Sequence, residues 1–191
     1  MYELPTNIEL GGVQFHIRND GDYRMVLDAF SALNDPELTE SEKVMSAMII
    51  FYDGMEEIDD LYALGDLEEA AKAMFNWMDA DRPKSTTNNV KLLDWQGDSA
   101  MICASINKVA GFEIRSKEYV HWWTFMGYFM GIGEGTFATV VSIRDKIIKG
   151  KKMEKWEQEF RRDNPQYFNW QTSKEEDDFA EEWFNSVWNK E

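Results

Sequence analysis

The stretch Glu118-Tyr-Val-His-Trp-Trp-Thr-Phe-Met-Gly-Tyr-Phe-Met-Gly-Ile-Gly-Glu-Gly-Thr-Phe-Ala-Thr-Val-Val-Ser-Ile-Arg144 decides how the rest of the chain is read. From Tyr119 to Met130 nearly every position is aromatic or aliphatic. Trp122, Phe125, Met126, Phe129 and Met130 fall at helical spacing, with Trp123 and Tyr128 on the flanks. A helix apolar almost all round must be covered by its own chain or by a partner. Gly131 and Gly133 interrupt the run well short of the length that crosses a bilayer. The spacing predicts the central helix of a small, mainly α domain.

On the N-terminal side, Ile8-Glu-Leu10 and Val13-Gln-Phe-His-Ile17 alternate around Gly11-Gly12, a hairpin signal because glycine supplies the positive φ of a two-residue turn. An isolated hairpin is marginal in water, so this one should lie on helices. From Asp22 the period changes to a helical stripe of Tyr23, Val26, Leu27, Phe30 and Leu33, ended by Asn34-Asp-Pro36. Thr39-Glu-Ser-Glu42 reads as a capping box, and Asp66-Leu-Glu-Glu69 opens the next helix. The segment 81–90, rich in Pro, Ser, Thr and Asn, is the place for a hinge. Asp94 or Asp98 starts another helix, with Met101, Ile102, Ile106 and Val109 inward and Gly111 at its end.

On the C-terminal side, a helix should carry Phe137, Val140, Val141, Arg144 and Ile147 or Ile148, with Lys146 and Lys149 complementing its dipole. Met153, Trp156 and Phe160 mark a further helix that ends before Pro165. Ser173-Lys-Glu-Glu176 opens a terminal amphipathic helix with Phe179, Trp183, Phe184, Val187 and Trp188 on one side. The expected architecture is a bundle-like helical domain over 1–172 with an N-terminal β-hairpin, followed by an amphipathic helix over 173–191.

The chain has 191 residues, enough for one compact core, and its aromatic content of 14% includes eight tryptophans to fill it. A net charge of -16 argues against a nucleic-acid partner, which would demand a basic footprint. The charge is uneven: Asp53 to Asp81 is acidic with only Lys72 opposing, whereas Arg144 to Arg162 is basic. Solvated faces that steer protein partners account for such blocks. The single cysteine, Cys103, excludes an intramolecular disulfide, fits a reducing compartment and reads as a buried small hydrophobe. The N-terminal residues lack the basic region and apolar run of a signal peptide, so a soluble cytosolic protein is expected.

Chemistry is harder to find. His16 and His121 have no His or Cys at i+3 or i+4, and no acidic loop has EF-hand spacing. His121 is expected as a hydrogen-bonded core histidine. Gly131-x-Gly133-x-Gly135 looks like a phosphate loop but follows a helix, lacks a lysine and carries Glu134. Adjacent acids such as Glu56-Glu57 and Asp59-Asp60 do not face one another on a helix. The reading is therefore of a protein that is not an enzyme, with no cofactor and no metal. The stripe Phe179, Trp183, Val187 and Trp188 is the candidate partner contact.

His121-Trp-Trp-x-Phe125, Phe129, Gly131-x-Gly-Glu134, Phe137 and Ile143-Arg144 resemble the signature of the phage tail protein family named after gene product fifteen. The Leu4-Pro5 entry, the hairpin and the helix from Asp22 fit as well, and the resemblance runs over most of residues 4–162. Gly21-Asp-Tyr-Arg24 and Gly111-Phe-Glu-Ile114 depart from the family pattern, and nothing after Ser173 matches it. The resemblance implies a tail assembly chaperone of phages and prophages of Gram-positive hosts. Such a protein binds the tape measure protein, works with the tail tube protein, self-associates, acts in the host cytoplasm and is absent from the mature virion. Two other readings compete: an acidic DNA mimic that inhibits a host defence protein, and a structural or completion protein of the tail. Within the signature, Trp122, Phe125 and Phe129 are expected as core. Arg144 is expected in a buried or interface ion pair with Glu118 or Glu134.

Overall fold

A computed structural model describes residues 3–80 and 92–169. Among these the chain is mainly α, with seven α-helices and one two-stranded antiparallel hairpin. They form two compact units. The first holds the described residues up to 80 together with 118–127, and the second holds 92–117 and 128–169. The hinge expected at 81–90 and the helix expected over 173–191 lie outside the described residues.

The first unit opens with β1 (Asn7–Leu10) and β2 (Val13–His16), in register with Leu10 opposite Val13. Gly11 and Gly12 take φ of 56° and 83°, the left-handed pair that a tight hairpin needs. The hairpin lies on α3 (Leu67–Met78), which supplies the support that two strands alone lack. Three successive residues, Asn19, Asp20 and Gly21, are left-handed and turn the chain into α1 (Tyr23–Leu33). Asp22 caps α1 by accepting the Arg24 amide. α2 (Glu40–Phe51) begins at the Thr39–Glu42 capping box that the spacing predicts, and packs on α1. A 3-10 helix (Ile58–Leu64) leads to α3, whose Asp66 accepts the amides of Glu68 and Glu69. Val26, Ala29, Val44, Met48, Phe51, Ala70, Met74 and Trp122 form the core.

The second unit contains α4 (Ser99–Ala110), α6 (Thr136–Ile148) and α7 (Lys155–Asp163). Gly111, at φ 77°, ends α4 as expected. Ile102, Ile106, Ile114, Phe137, Val140 and Ile143 are buried. Cys103 is half-buried rather than fully enclosed, and desolvation raises its thiol above the ordinary range. α7 turns differently from its apolar pattern: Trp156 is 53% exposed, while Glu157 is 2% exposed. Lys146 explains the inversion. Its ammonium lies 2.6 Å from Glu157 Oε1, so it pairs with α7 rather than merely facing a helix terminus.

The central helix, α5 (Trp122–Met130), is shorter than the apolar run suggested. Glu118 to His121 are not helical because their backbone groups find partners elsewhere in the first unit. The Val120 amide donates to Asp22 Oδ2 at 2.9 Å, and the Tyr23 amide donates to the Val120 carbonyl at 2.9 Å. The unit boundary falls inside α5, after Gly127. Met130 is 64% exposed, so the helix is not covered all round by the described chain.

Candidate functional site

The signature residues do not converge on one point. His121, Trp122, Trp123 and Phe125 belong to the first unit, and Phe129, Gly131, Phe137 and Arg144 to the second. His121, Trp122, Phe125, Phe137 and Arg144 are buried, Trp123 and Phe129 half-buried, and Gly131 exposed. Phe179, Trp183, Val187 and Trp188 lie outside the described residues. The chemistry of the signature therefore resolves into two polar nodes, one in each unit.

In the first unit the node is His121. Its Nδ1 accepts the Trp123 amide at 3.0 Å, capping α5 in the way an Asn or Ser cap does. An accepting Nδ1 places the proton on Nε2, which donates to the Pro5 carbonyl at 3.2 Å. Desolvation lowers the imidazole's pKa and so favours this neutral form. The two tryptophans extend the clasp. Trp122 donates to the Met78 carbonyl at 2.7 Å and Trp123 to the Trp77 carbonyl at 2.9 Å, so α5 holds the last turn of α3 by two indoles. Trp77 in turn donates to the Pro5 carbonyl at 3.0 Å. Rings fill the space between: Tyr23 stacks on Phe125 with centroids 4.5 Å apart, and Phe30 meets Trp122 edge-on at 5.9 Å.

Gly21 completes this node, and sequence reasoning gave it no part. It has φ 77°, and a Cβ there would lie 2.7 Å from the Trp77 ring and 3.2 Å from His121 Nε2. Arg18 was missed too. Its guanidinium donates to the carbonyls of Ile49 and Met55 at 3.1 Å and 2.5 Å, satisfying acceptors at and beyond the end of α2. The Asn-Asp-Gly triplet is the one local signal that could have marked this turn.

In the second unit the node is Arg144, and its partner is Asp98, not Glu118 or Glu134. The pair is bidentate, with Nη1 2.5 Å from Asp98 Oδ2 and Nη2 2.9 Å from Oδ1. The remaining donors reach the Leu92 carbonyl at 3.0 Å and, from Nε, the Tyr167 carbonyl at 3.0 Å. Asp98 Oδ2 also accepts the Asp94 amide at 3.0 Å. Arg144 is 2% exposed and Asp98 4% exposed. A planar fork fully matched by carboxylate and carbonyls is the arrangement that lets a buried charge persist. It ties α6 to the start of α4 and to the segment after α7. Asp98 was legible only as a helix start.

Both nodes are closed. The imidazole nitrogens of His121 are committed to backbone, and the Arg144 fork is committed to Asp98 and two carbonyls. Among the described residues, no group of three or more His, Cys, Asp or Glu side chains is placed to hold a metal ion. No helix of the described residues is long and apolar enough to cross a membrane.

A family model described as bacteriophage Gp15 protein matches residues 1–168. The chain belongs to the bacteriophage Gp15 family. No curated protein and no solved structure matches it. The Gp15 match reaches Phe168, just past the Tyr167 carbonyl held by Arg144, so every group in both nodes lies within it. The residues after 168, with the candidate terminal stripe, fall outside the match. Membership makes this a phage-related protein.

Proposed function

We propose that this Gp15-family chain is a non-enzymatic tail assembly chaperone that binds the tape measure protein and helps recruit tail tube subunits around it. It works in the host cytoplasm and is left out of the finished particle. The observation that carries the reading is the family match over residues 1–168. The closure of both polar nodes supports it: these groups are spent on holding the fold, which leaves the surface for recognition. That surface is acidic and keeps large apolar side chains in contact with water, among them Tyr62 at 69% and Met130 at 64% exposure. An acidic coat with apolar contact points suits a long apolar helical client, because it covers the client and repels further aggregation.

Co-expression with the tape measure protein from the same phage tests the proposal. The expected result is a several-fold rise in soluble tape measure protein and co-purification of the two chains. Unchanged yield without co-purification would sink the reading. The DNA-mimic alternative fits the net charge of -16 but not the seven basic residues against three acidic ones between Lys146 and Arg162.

A further inference from the structure

We propose that the acidic run 175–181 of this chain docks on its own α6–α7 turn, Phe179 seated on Met153 and the acids on the surrounding lysines. The turn reads Lys149-Gly-Lys-Lys-Met-Glu-Lys155, and its four lysines are exposed. Lys152, Lys155 and Gln158 line an open depression with Glu154 and the half-buried Met153. Glu154 is the single acid in the turn, and the Trp156 indole donates to it at 2.9 Å. Lys149 is paired with Asp145, and Lys155 stands 3.9 Å from Glu159, at the limit of pairing. Lys151 and Lys152 form no ion pair among the described residues.

Charge and reach identify the occupant. Five of the seven residues 175–181 are acidic, none is basic, and the other two are Phe179 and Ala180. The described chain ends close to the turn. Arg144 Nε donates to the Tyr167 carbonyl at 3.0 Å, and Lys149 follows Arg144 by five positions, about 7.5 Å along the α6 axis. Eight positions separate Tyr167 from Glu175, a reach of up to roughly 26 Å. The acids can therefore meet the lysines from their own point of attachment. One exposed ion pair contributes little. Several acids on four lysines, around an apolar contact, gain from a tether that sets an effective concentration on the order of millimolar. An acidic partner then reaches these lysines only by displacing the run, which gives the turn a threshold for binding. This docking goes beyond client binding and does not depend on which client is held.

Carbodiimide coupling tests it on the full chain at roughly 1 µM, where transient contacts between chains are sparse. The reagent joins a carboxylate to an amine that already touches it, and mass spectrometry of the digested chain reads the pairs. Lys151 and Lys152 should couple to the acids of 175–181 several-fold more often than to any other carboxylate beyond the turn's own Glu154. In an equal mixture of unlabelled and heavy-nitrogen chain, each coupled pair should carry one label throughout. At about 1 M NaCl, where the screening length shrinks to about 3 Å, the yield should fall to background. Phe179→Ser keeps every amine and carboxylate, yet it should lower the yield several-fold because the seat on Met153 is lost. Circular dichroism matching the parent checks the fold of that variant. Coupling no more frequent than to other carboxylates overturns the proposal and leaves the turn to an outside partner. Pairs of mixed label, the mark of a second copy in that place, overturn it as well. So does a yield that neither salt nor Phe179→Ser reduces.

Discussion

At Gly21 a single hydrogen atom in place of a side chain decides whether the first unit closes. A methyl group there meets the Trp77 ring at 2.7 Å, and Trp77 is itself buried and cannot retreat freely. Gly21→Ala should cost about 1–3 kcal/mol in overpacking and about 1–2 kcal/mol more for the left-handed backbone. Urea unfolding measures this, and a variant as stable as the parent refutes the close approach. His121 belongs to the same scale. Desolvation depresses its folded pKa below the ordinary 6.5, so the unfolded chain takes up the proton more readily. Its contribution to stability is complete above the unfolded value and is lost as pH falls through the folded one. The carboxylates held low by hydrogen bonds, such as Glu42 and Asp60, have ordinary values of 4.5 and 3.8 and enter only at lower pH. Stability should therefore decline between pH 7 and 5 in the parent. His121→Asn, which can keep the cap to Trp123 but cannot ionise, should flatten that slope. An equal slope in both chains removes His121 from the account.

At the scale of elements, the second unit depends on a pair that local pattern cannot foresee. Arg144 and Asp98 are 46 positions apart and join α6 to α4. Removing one partner strands the other charge in a buried site, so Arg144→Ala or Asp98→Ala should each cost about 3–5 kcal/mol. Replacing both with leucine should cost less than either single change, because no unpaired charge is left. A double variant that costs more than either single change contradicts this view. Arg144→Lys keeps the charge but gives up the fork, and should fall between parent and Arg144→Ala. α5 teaches a related point. Its apolar run implied a helix from Tyr119, yet Asp22 and Tyr23 claim the backbone of Val120 and the helix starts three residues later.

For the whole molecule, the decisive quantity is charge and where it is placed. The net charge of -16 is unevenly placed: the acids gather in the first unit, whereas the α6–α7 turn is basic, so the two surfaces steer partners of opposite charge. The proposed chaperone role predicts that the chain is left out of the finished particle. Mass spectrometry of purified particles should detect the tail tube and tape measure proteins but not this chain. Recovery at the copy number of a tail component would favour the structural reading instead.

Much of the fold was legible in the sequence because it is written in short-range chemistry. The Gly-Gly turn, the Thr39–Glu42 box, the Asp66 cap and the Gly111 stop each act within a few residues, where spacing alone sets geometry. The signature from His121 to Arg144 was visible for the same reason, and so was the family. What those residues hold was not. His121 reaches Pro5 across 116 positions, and Arg144 finds Asp98 where nearer carboxylates were on offer. Such partners are chosen by how helices pack, since a buried donor must find an acceptor wherever the fold has placed one. The chain's own order determined where most elements begin and end; tertiary packing decided the start of α5 and which buried group answers which.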